Sequence, residues 1–558
     1  MIHQTKKVIS QFIFGSGKAF TWDSLLRKDN LLWNQSRSSG EGGPRVLMAT
    51  SLGGYNQGAI LESLLSVALT LRGARVDLLL CDEFLPSCQM TKISKISPDD
   101  LVRHGQMSLC RDCFKAGHKL FEPLGLPIHH YSKLVSPEQA QQAKHIAAAI
   151  PLDQIGEYQF EGLAVGEHAL AGALRYFGRG DLNEEPLGEK VLRRYLEASL
   201  LTVFAVQELT ERNSYDVACF HHGIYVPQGI IGEVLRKKGI RVVNWNPSYR
   251  KQTFIFSHND SYHHTMISEP VSEWQGLSWT PELEKKILEY LKSRWQGTGD
   301  WIWFHEDPKE ELSEIIREVG IDATKPWIGM LTSVMWDAQL HYRSNAFRNQ
   351  LEWVMQTIGY FAKRPELELI IRIHPAEIRG MVPSRQPIAE EIRRAYPLLP
   401  PNVFVIPPES KVSTYAVMER CDSVIIYNTK TGIEISSMGI PVIVAGEAWI
   451  RGKGFSLDAV SPDEYFKILD RLPLKDRLSE DKLILARKYA FHFFFRRMIP
   501  LPCILSPEKY EFAIQISGLN ELMPGHDPGL DVICDGILNN APFVYPAEWS
   551  ERLKDKEG

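Results

Sequence analysis

The segment LIIRIHPAE puts Arg372, His374, Pro375 and Glu377 at the carboxyl end of an apolar run that reads as a buried strand. An imidazole and a guanidinium at such an edge can both donate to a phosphate, and Pro375 keeps the chain from turning at once into a helix. The plainer reading is a satisfied histidine at a strand end. Further on, YNTKTGIEISSMGIPVIVAGEAW follows a second apolar run, Ser423 to Tyr427, with a polar turn and a helix that opens near Thr431 and Gly432. Its first backbone N–H groups, the hydroxyls of Thr429 and Thr431 and the ammonium of Lys430 make an anion site suited to a diphosphate or a nucleotide monophosphate. Glu434, on the first turn, reads either as an acceptor for a sugar hydroxyl or as a carboxylate that complements the helix dipole.

Elements must position these groups, and the chain supplies them by alternation. Residues 1–44 read as an extension ending in the loop-like SRSSGEGGP. From 45 to 300 the pattern is strand, helix, strand: Val46 to Ala49, a helix with Leu61, Leu64, Leu65, Ala68 and Leu69 on one face, then Val76 to Leu80, and later YDVACF and IRVVNW about another helix. Between about 270 and 325 the apolar pattern weakens and charged helices take over, which marks a domain boundary. Alternation resumes over 320–475, and 476–558 reads as a C-terminal helix and tail. The expected fold class is α/β, with two doubly wound Rossmann-like domains facing each other across a cleft and a C-terminal helix crossing between them.

The whole chain permits this. Its 558 residues favour two to four domains, and 44% hydrophobic with 23% charged residues is ordinary globular composition, which excludes a disordered, collagen-like or coiled-coil chain. With 63 Lys+Arg against 68 Asp+Glu the net charge is -5, so no basic field draws it to nucleic acid and any phosphate site must be local. There is no long uncharged apolar run, and the start MIHQTKKVISQFIFGSGKAF has no small-residue cleavage site, so the expectation is a soluble, cytosolic protein. FGSGKAF fails as a phosphate loop, because Phe12 stands where the first glycine is required and Ala19 replaces the hydroxyl.

Through Arg372-x-His374-Pro375, the Thr-Lys-Thr-Gly-Ile-Glu helix start and the preceding TSVMWDAQLHYRSNAFRNQLEWVMQTI, the sequence resembles the capsule polysaccharide biosynthesis glycosyltransferases of the GT-B type, which include the capsular Kdo transferases. The resemblance covers about residues 325 to 460 well and the first half loosely. It implies that the second domain binds a nucleotide sugar, often a CMP-activated acidic sugar, with His374, Thr429, Lys430 and Thr431 on the donor. Where the family usually has paired serines this chain has Asn428-Thr429-Lys430-Thr431. It further implies inverting transfer that needs no metal, to a polysaccharide or lipid-linked glycan acceptor at the inner face of the membrane.

Transfer to a hydroxyl needs a group that takes its proton, and the GT-B layout draws it from the first domain. Asp82, Glu83, His221 and His222 stand at strand ends, with Glu62 on the first helix; His222 and Asp82 are favoured, against roles in capping or packing. Gly53, Gly54, His221 and Asp260 are expected on the acceptor side. SYRKQTFIFSHNDSYHH adds Arg250, Lys251, His258 and His263, either lining that side or forming a polar loop.

Two features stand apart. Four of the eight cysteines, Cys81, Cys88, Cys110 and Cys113, lie close in sequence; buried free thiols are one reading and a structural zinc site the other. The aromatic tract YAFHFFFRRMIP reads as a helix packed across both domains or as a membrane-surface helix beside a lipid-linked acceptor, the first being favoured. Alternative functions are a CDP-glycerol-type polyol-phosphate transferase, a sugar-nucleotide 2-epimerase and a non-catalytic scaffold in polysaccharide assembly.

Overall fold

The computed structural model describes residues 20–295, 300–301, 309–338, 340, 345–507 and 511–549, so FGSGKAF lies outside it but for Phe20. The strands that build its two large sheets are β1 (Arg45–Ser51), β2 (Arg75–Leu80), β3 (Ile128–His130), β4 (Val217–His221), β5 (Arg241–Pro247), β6 (Thr253–His258), β7 (Trp327–Leu331), β8 (Glu368–Arg372), β9 (Val403–Ile406), β10 (Ser423–Ile426), β11 (Val442–Val444), β12 (Leu457–Asp458) and β13 (Ile499–Pro500). The first sheet runs β13-β6-β5-β4-β1-β2-β3 and the second β12-β11-β10-β7-β8-β9. β1 to β5 pair in parallel, β6 is antiparallel to β5, and β13 is antiparallel to β6. The second sheet is parallel throughout.

Parallel strands need helical crossovers, which cover both faces of the sheet, and the strand sequences show it: every residue of WIGML (β7) and ELIIR (β8) is buried. The strand order reverses between β1 and β4 in the first sheet and between β7 and β10 in the second. Crevices open at such switch points, and they bring the ends of β4, β8 and β10 to the cleft.

Helix Asn56–Leu71, expected to bury one face, is buried on nearly all sides. Leu519, Leu522 and the helix Pro528–Asn539 share its core cluster, so the C-terminal tail covers the face that periodicity leaves to water. Its Ser66 and Thr70 hydroxyls donate to carbonyls four residues back, which satisfies them without solvent.

SRSSGEGGP is not a free loop. Helix Asn30–Ser39 runs through its serines, because Trp22 and Trp33 are buried and anchor the preceding turns: their indole N–H groups donate to Ser63 Oγ at 2.9 Å and to the Leu124 carbonyl at 3.2 Å. The chain then turns through Gly40–Gly42 into β1. The aromatic tract follows the packed reading. Helix Glu480–Phe491 continues through a π-helical turn, His492–Arg496, lies against the second-domain helix Thr431–Ser437 and the linking helix Pro281–Trp295, and delivers β13 to the first sheet. Phe491, Phe493 and Phe494 are fully buried, so this tract offers no apolar face to a membrane. Among the described residues no helix is long and apolar enough to cross one.

Candidate functional site

One cavity of about 410 Å³ lies between the domains at the two switch points. The first domain contributes His222, Asn246, Tyr249, Tyr262 and His263; the second contributes Ser333, Asp337, His374, Thr429, Lys430, Thr431, Glu447 and Trp449. Arg294, at the end of the linking helix, and Asp300 complete it.

His374 follows β8 directly. Its backbone N–H donates to Thr332 Oγ1 at 3.1 Å, and its Nδ1 accepts the Ala376 N–H at 3.0 Å. In the neutral ring this assigns the proton to Nε2, which makes that atom a donor. Thr429 and Thr431 follow β10 and stand beside it, their hydroxyls 3.3 Å apart.

Lys430 also reaches the cavity, but its ammonium donates to Glu434 Oε1 at 2.5 Å and sits 4.5 Å from the centre of the Tyr249 ring. Glu434 is wholly buried and takes Lys430, Arg294 at 3.4 Å and the Tyr415 hydroxyl. Burial pushes its carboxyl up, but Arg294 and Lys430 outweigh it, and the carboxyl stands at about 2. It is therefore an ionised anchor for two cations, with no oxygen left over for a sugar hydroxyl. Arg294 also bonds to Asp300 and to the Tyr290 hydroxyl at 3.1 Å, and lies against the Tyr249 and Phe494 rings. Burial lowers the Lys430 ammonium, and the neighbouring Arg294 lowers it further. Burial also raises Asp300 against the pull of Arg294. Gly432 packs under the turn, where a Cβ would meet the Ile426 and Ile450 side chains.

Arg372, expected among the donor ligands, has another task. It is 2% exposed, and its guanidinium donates to the Pro407 carbonyl, to the Ser410 carbonyl at 3.2 Å and to Thr414 Oγ1 at 3.2 Å. It clamps the turn after β9. Pro375 lines the cavity beside His374, but Glu377 faces inward: it is 1% exposed, accepts the Ile388 N–H at 3.4 Å, and burial raises its carboxyl to about 7.

On the first-domain side His222 meets the cavity. It follows β4 with φ 64°, in the left-handed region, and this turns its ring toward Tyr225, Tyr262 and His263. Burial, then the neighbouring His221 and Arg175, hold it well below the usual histidine range, so the ring is neutral at physiological pH, and its Nδ1 has no hydrogen-bond partner among the described residues. A neutral imidazole in a cleft is a proton acceptor. Asp82, the other favoured base, instead accepts the Ser132 N–H at 3.2 Å and the Ser132 hydroxyl, which holds the turn after β3 outside the cavity.

The acceptor-side expectations are redirected in the same way. Gly53 and Gly54 pack on helix Met107–Phe121; a Cβ on Gly53 would lie 2.5 Å from the Cys113 carbonyl oxygen. His221 is buried behind Tyr55, 3.1 Å from its hydroxyl, and Asp260 holds His264 at 3.0 Å at the start of helix Tyr262–Ser268. Arg250 donates to the Phe494 carbonyl and His258 bonds to the Ala541 carbonyl, both away from the cavity. What faces the cavity here is an aromatic wall that the two domains share. Trp449 stands 5.7 Å from both Tyr262 and His263 and 6.4 Å from Tyr249, centroid to centroid. All four rings lie within SYRKQTFIFSHNDSYHH or YNTKTGIEISSMGIPVIVAGEAW, but only the imidazole of His263 is a chemical signal there; Trp449, Tyr249 and Tyr262 read as ordinary aromatic residues, and Arg294 lies outside both segments. Cys81, Cys88, Cys110 and Cys113 surround a separate small chamber.

Two doubly wound domains with facing switch points and a C-terminal helix that returns to the first define the GT-B class. Residues 311–476, most of the second domain, match the model of the family described as capsule polysaccharide biosynthesis protein. No curated protein matches the chain. Among solved structures, it is similar to Thermosulfurimonas dismutans KpsC, a beta Kdo 2,4 transferase, at 12% identity over 55% of this chain and 87% of that one, with a TM-score of 0.34. It is also similar to UDP-GlcNAc 2-epimerase from Neisseria meningitidis, at 10% identity over 81% and 98% of the two chains, with a TM-score of 0.24.

Proposed function

We propose that the protein is a glycosyltransferase of capsule polysaccharide assembly that moves a sugar from a nucleotide-sugar donor, held by the second domain, to a glycan acceptor on the aromatic wall between the domains. The observation that carries this reading is that His374, Thr429 and Thr431 line the same cavity as His222. The His374 Nε2–H and the two threonine hydroxyls suit the diester or diphosphate oxygens of a leaving nucleotide. Donors fixed before reaction stabilise the charge that builds on the departing oxygen, each by a few kcal/mol. His222 takes the proton of the acceptor hydroxyl, which attacks the anomeric carbon as the nucleotide leaves. A single displacement inverts that centre and uses no covalent intermediate. The rings of Trp449, Tyr249 and Tyr262 suit the apolar faces of sugars.

The test is thermal stabilisation by CMP, UMP, GMP and CDP, followed by product analysis with the matching activated sugars. One nucleotide is expected to raise the melting temperature of the wild type clearly and that of His374→Ala weakly. No shift with any of them would leave a non-catalytic scaffold, and a product epimerised at C2 without transfer would make the protein an epimerase.

A further inference from the structure

We infer that Glu62, buried on helix Asn56–Leu71, is a positioning residue for His222: its side chain holds Thr50 and Trp245, and these two hold the peptides of His221 and His222. The part this plays in transfer rests on the reading of His222 as the proton acceptor; the brace itself does not.

The ladder between β1 and β4 ends at Met48 and Cys219. Two residues further on, the His221 N–H donates to Thr50 Oγ1 at 2.8 Å, so a side chain stands in for the missing strand carbonyl. A hydroxyl has one proton, and Thr50 gives it to Glu62 Oε1, which turns its lone pairs toward the His221 N–H. The Thr50 N–H donates to Glu62 Oε2 at 3.3 Å. On the other flank the Trp245 indole N–H donates to Glu62 Oε1 at 3.0 Å, and the Trp245 carbonyl accepts the His222 N–H at 3.0 Å. The far end of the turn returns to the same place: the Gln228 amide, at the start of helix Gln228–Lys237, donates to the Thr50 carbonyl at 3.0 Å. One carboxylate thus ties the turn to β1 and to β5 together.

The turn has need of such a brace. His222 at φ 64° and Gly223 at φ 75° are both left-handed, a region that a side chain disfavours and that persists where the surroundings over-determine it. The turn also lies hard against β5, since a Cβ on Gly223 would stand 2.8 Å from Asn244 Oδ1. Every group that bonds to Glu62 is a donor, and an ionised carboxylate, which only accepts, matches all of them. Glu62 is 3% exposed; burial raises its carboxyl to about 7 while the Thr50 and Trp245 bonds pull it back. A carboxyl so buried costs desolvation that an apolar side chain would avoid, and what it supplies is direction for the Thr50 hydroxyl and the Trp245 ring. It does not line the cavity, so it acts through His222 and not on a substrate.

The test reads the His222 ring directly, by NMR of the full chain carrying isotope-labelled histidine, with the signal identified by its loss in His222→Asn. That ring faces His221, Arg175, Tyr225, Tyr262 and His263, and burial keeps its titration below the usual histidine range. Thr50→Val keeps the shape of the side chain and removes its hydroxyl, and Glu62→Leu removes the carboxylate. In both, the turn should loosen, water should reach the ring and its titration should move up toward the ordinary value of about 6.5. Thr50→Ser, which returns the hydroxyl, should restore the wild-type titration. In the transfer assay Thr50→Val should lower kcat by about 10²-fold with the KM for the donor kept. A merely structural role would lower the melting temperature and leave His222 titrating as in the wild type; that result in both Thr50→Val and Glu62→Leu would overturn the inference. Where Glu62→Leu fails to fold, the Val and Ser variants of Thr50 decide. A wild type that transfers from no donor, with the ring displaced in these variants, would defeat the glycosyltransferase reading and leave the brace standing.

Discussion

Arg294, on the helix that links the domains, and Glu434, at the start of a second-domain helix, form an ion pair at 3.4 Å with both side chains almost wholly out of water. Lys430 and Tyr415 complete the shell of Glu434, and Asp300 that of Arg294. The pair thus ties the linker to the turn that carries Thr429 and Thr431, and it sets the electrostatic balance beside the donor groups.

Glu434→Gln should strip two buried cations of their main counter-charge and cost roughly 3 to 5 kcal/mol of stability at neutral pH. Because the folded carboxyl lies at about 2, below its ordinary 4.5, its contribution is present above pH 4.5 and disappears as the pH falls toward 2. Chemical denaturation of both proteins across that range should show their stabilities converging in acid.

Glu377 offers the opposite sign. Its folded carboxyl is raised to about 7 from 4.5, so its neutral form favours the fold below pH 4.5 and this contribution is lost as the pH rises through 7. Glu377→Gln should remove that slope, about 1.4 kcal/mol per pH unit within the window, and be the more stable protein at pH 8. Its nucleotide-induced thermal shift should match the wild type, since the side chain faces away from the cavity.

For His222 the informative change is to asparagine, which tolerates the left-handed φ of 64° while removing the imidazole. Transfer should fall by about 10² to 10⁴ with nucleotide stabilisation retained. In the wild type the acid limb of the pH–rate profile should lie below the usual histidine range, following the lowered basicity of this ring.

Arg372→Lys separates clamping from ligand binding. A lysine cannot span the Pro407 and Ser410 carbonyls and Thr414 together, so stability should drop by about 1 to 3 kcal/mol. The nucleotide-dependent shift should survive. Loss of that shift with stability intact would put the guanidinium on the donor instead.

The two doubly wound sheets were legible because parallel strands buried on both faces are written as short apolar runs with helical periods between them. His374, Thr429 and Thr431 were legible for a related reason, since a polar motif directly after such a run must fall at the sheet's carboxyl edge. Edge position does not fix direction, however. Asp82 and Arg372 both end strands, yet one holds Ser132 and the other a neighbouring turn, and only packing decides that. Glu434 left two roles open because its partner Arg294 comes from a distant helix. The aromatic wall was invisible because Trp449, Tyr249 and Tyr262 are common core residues whose shared surface exists only once the domains meet. The same long-range coverage hid the burial of helix Asn56–Leu71 under the tail.

The return of the chain to β6 through β13 has a bearing on biosynthesis. The outer edge of β6 and the back of helix Asn56–Leu71 wait for residues from 499 onward, so the first half of the polypeptide leaves the ribosome with an open strand edge and an uncovered apolar surface. The second sheet, by contrast, is contiguous in sequence and can be completed earlier. A chaperone that shelters nascent chains would therefore find its client in the N-terminal half.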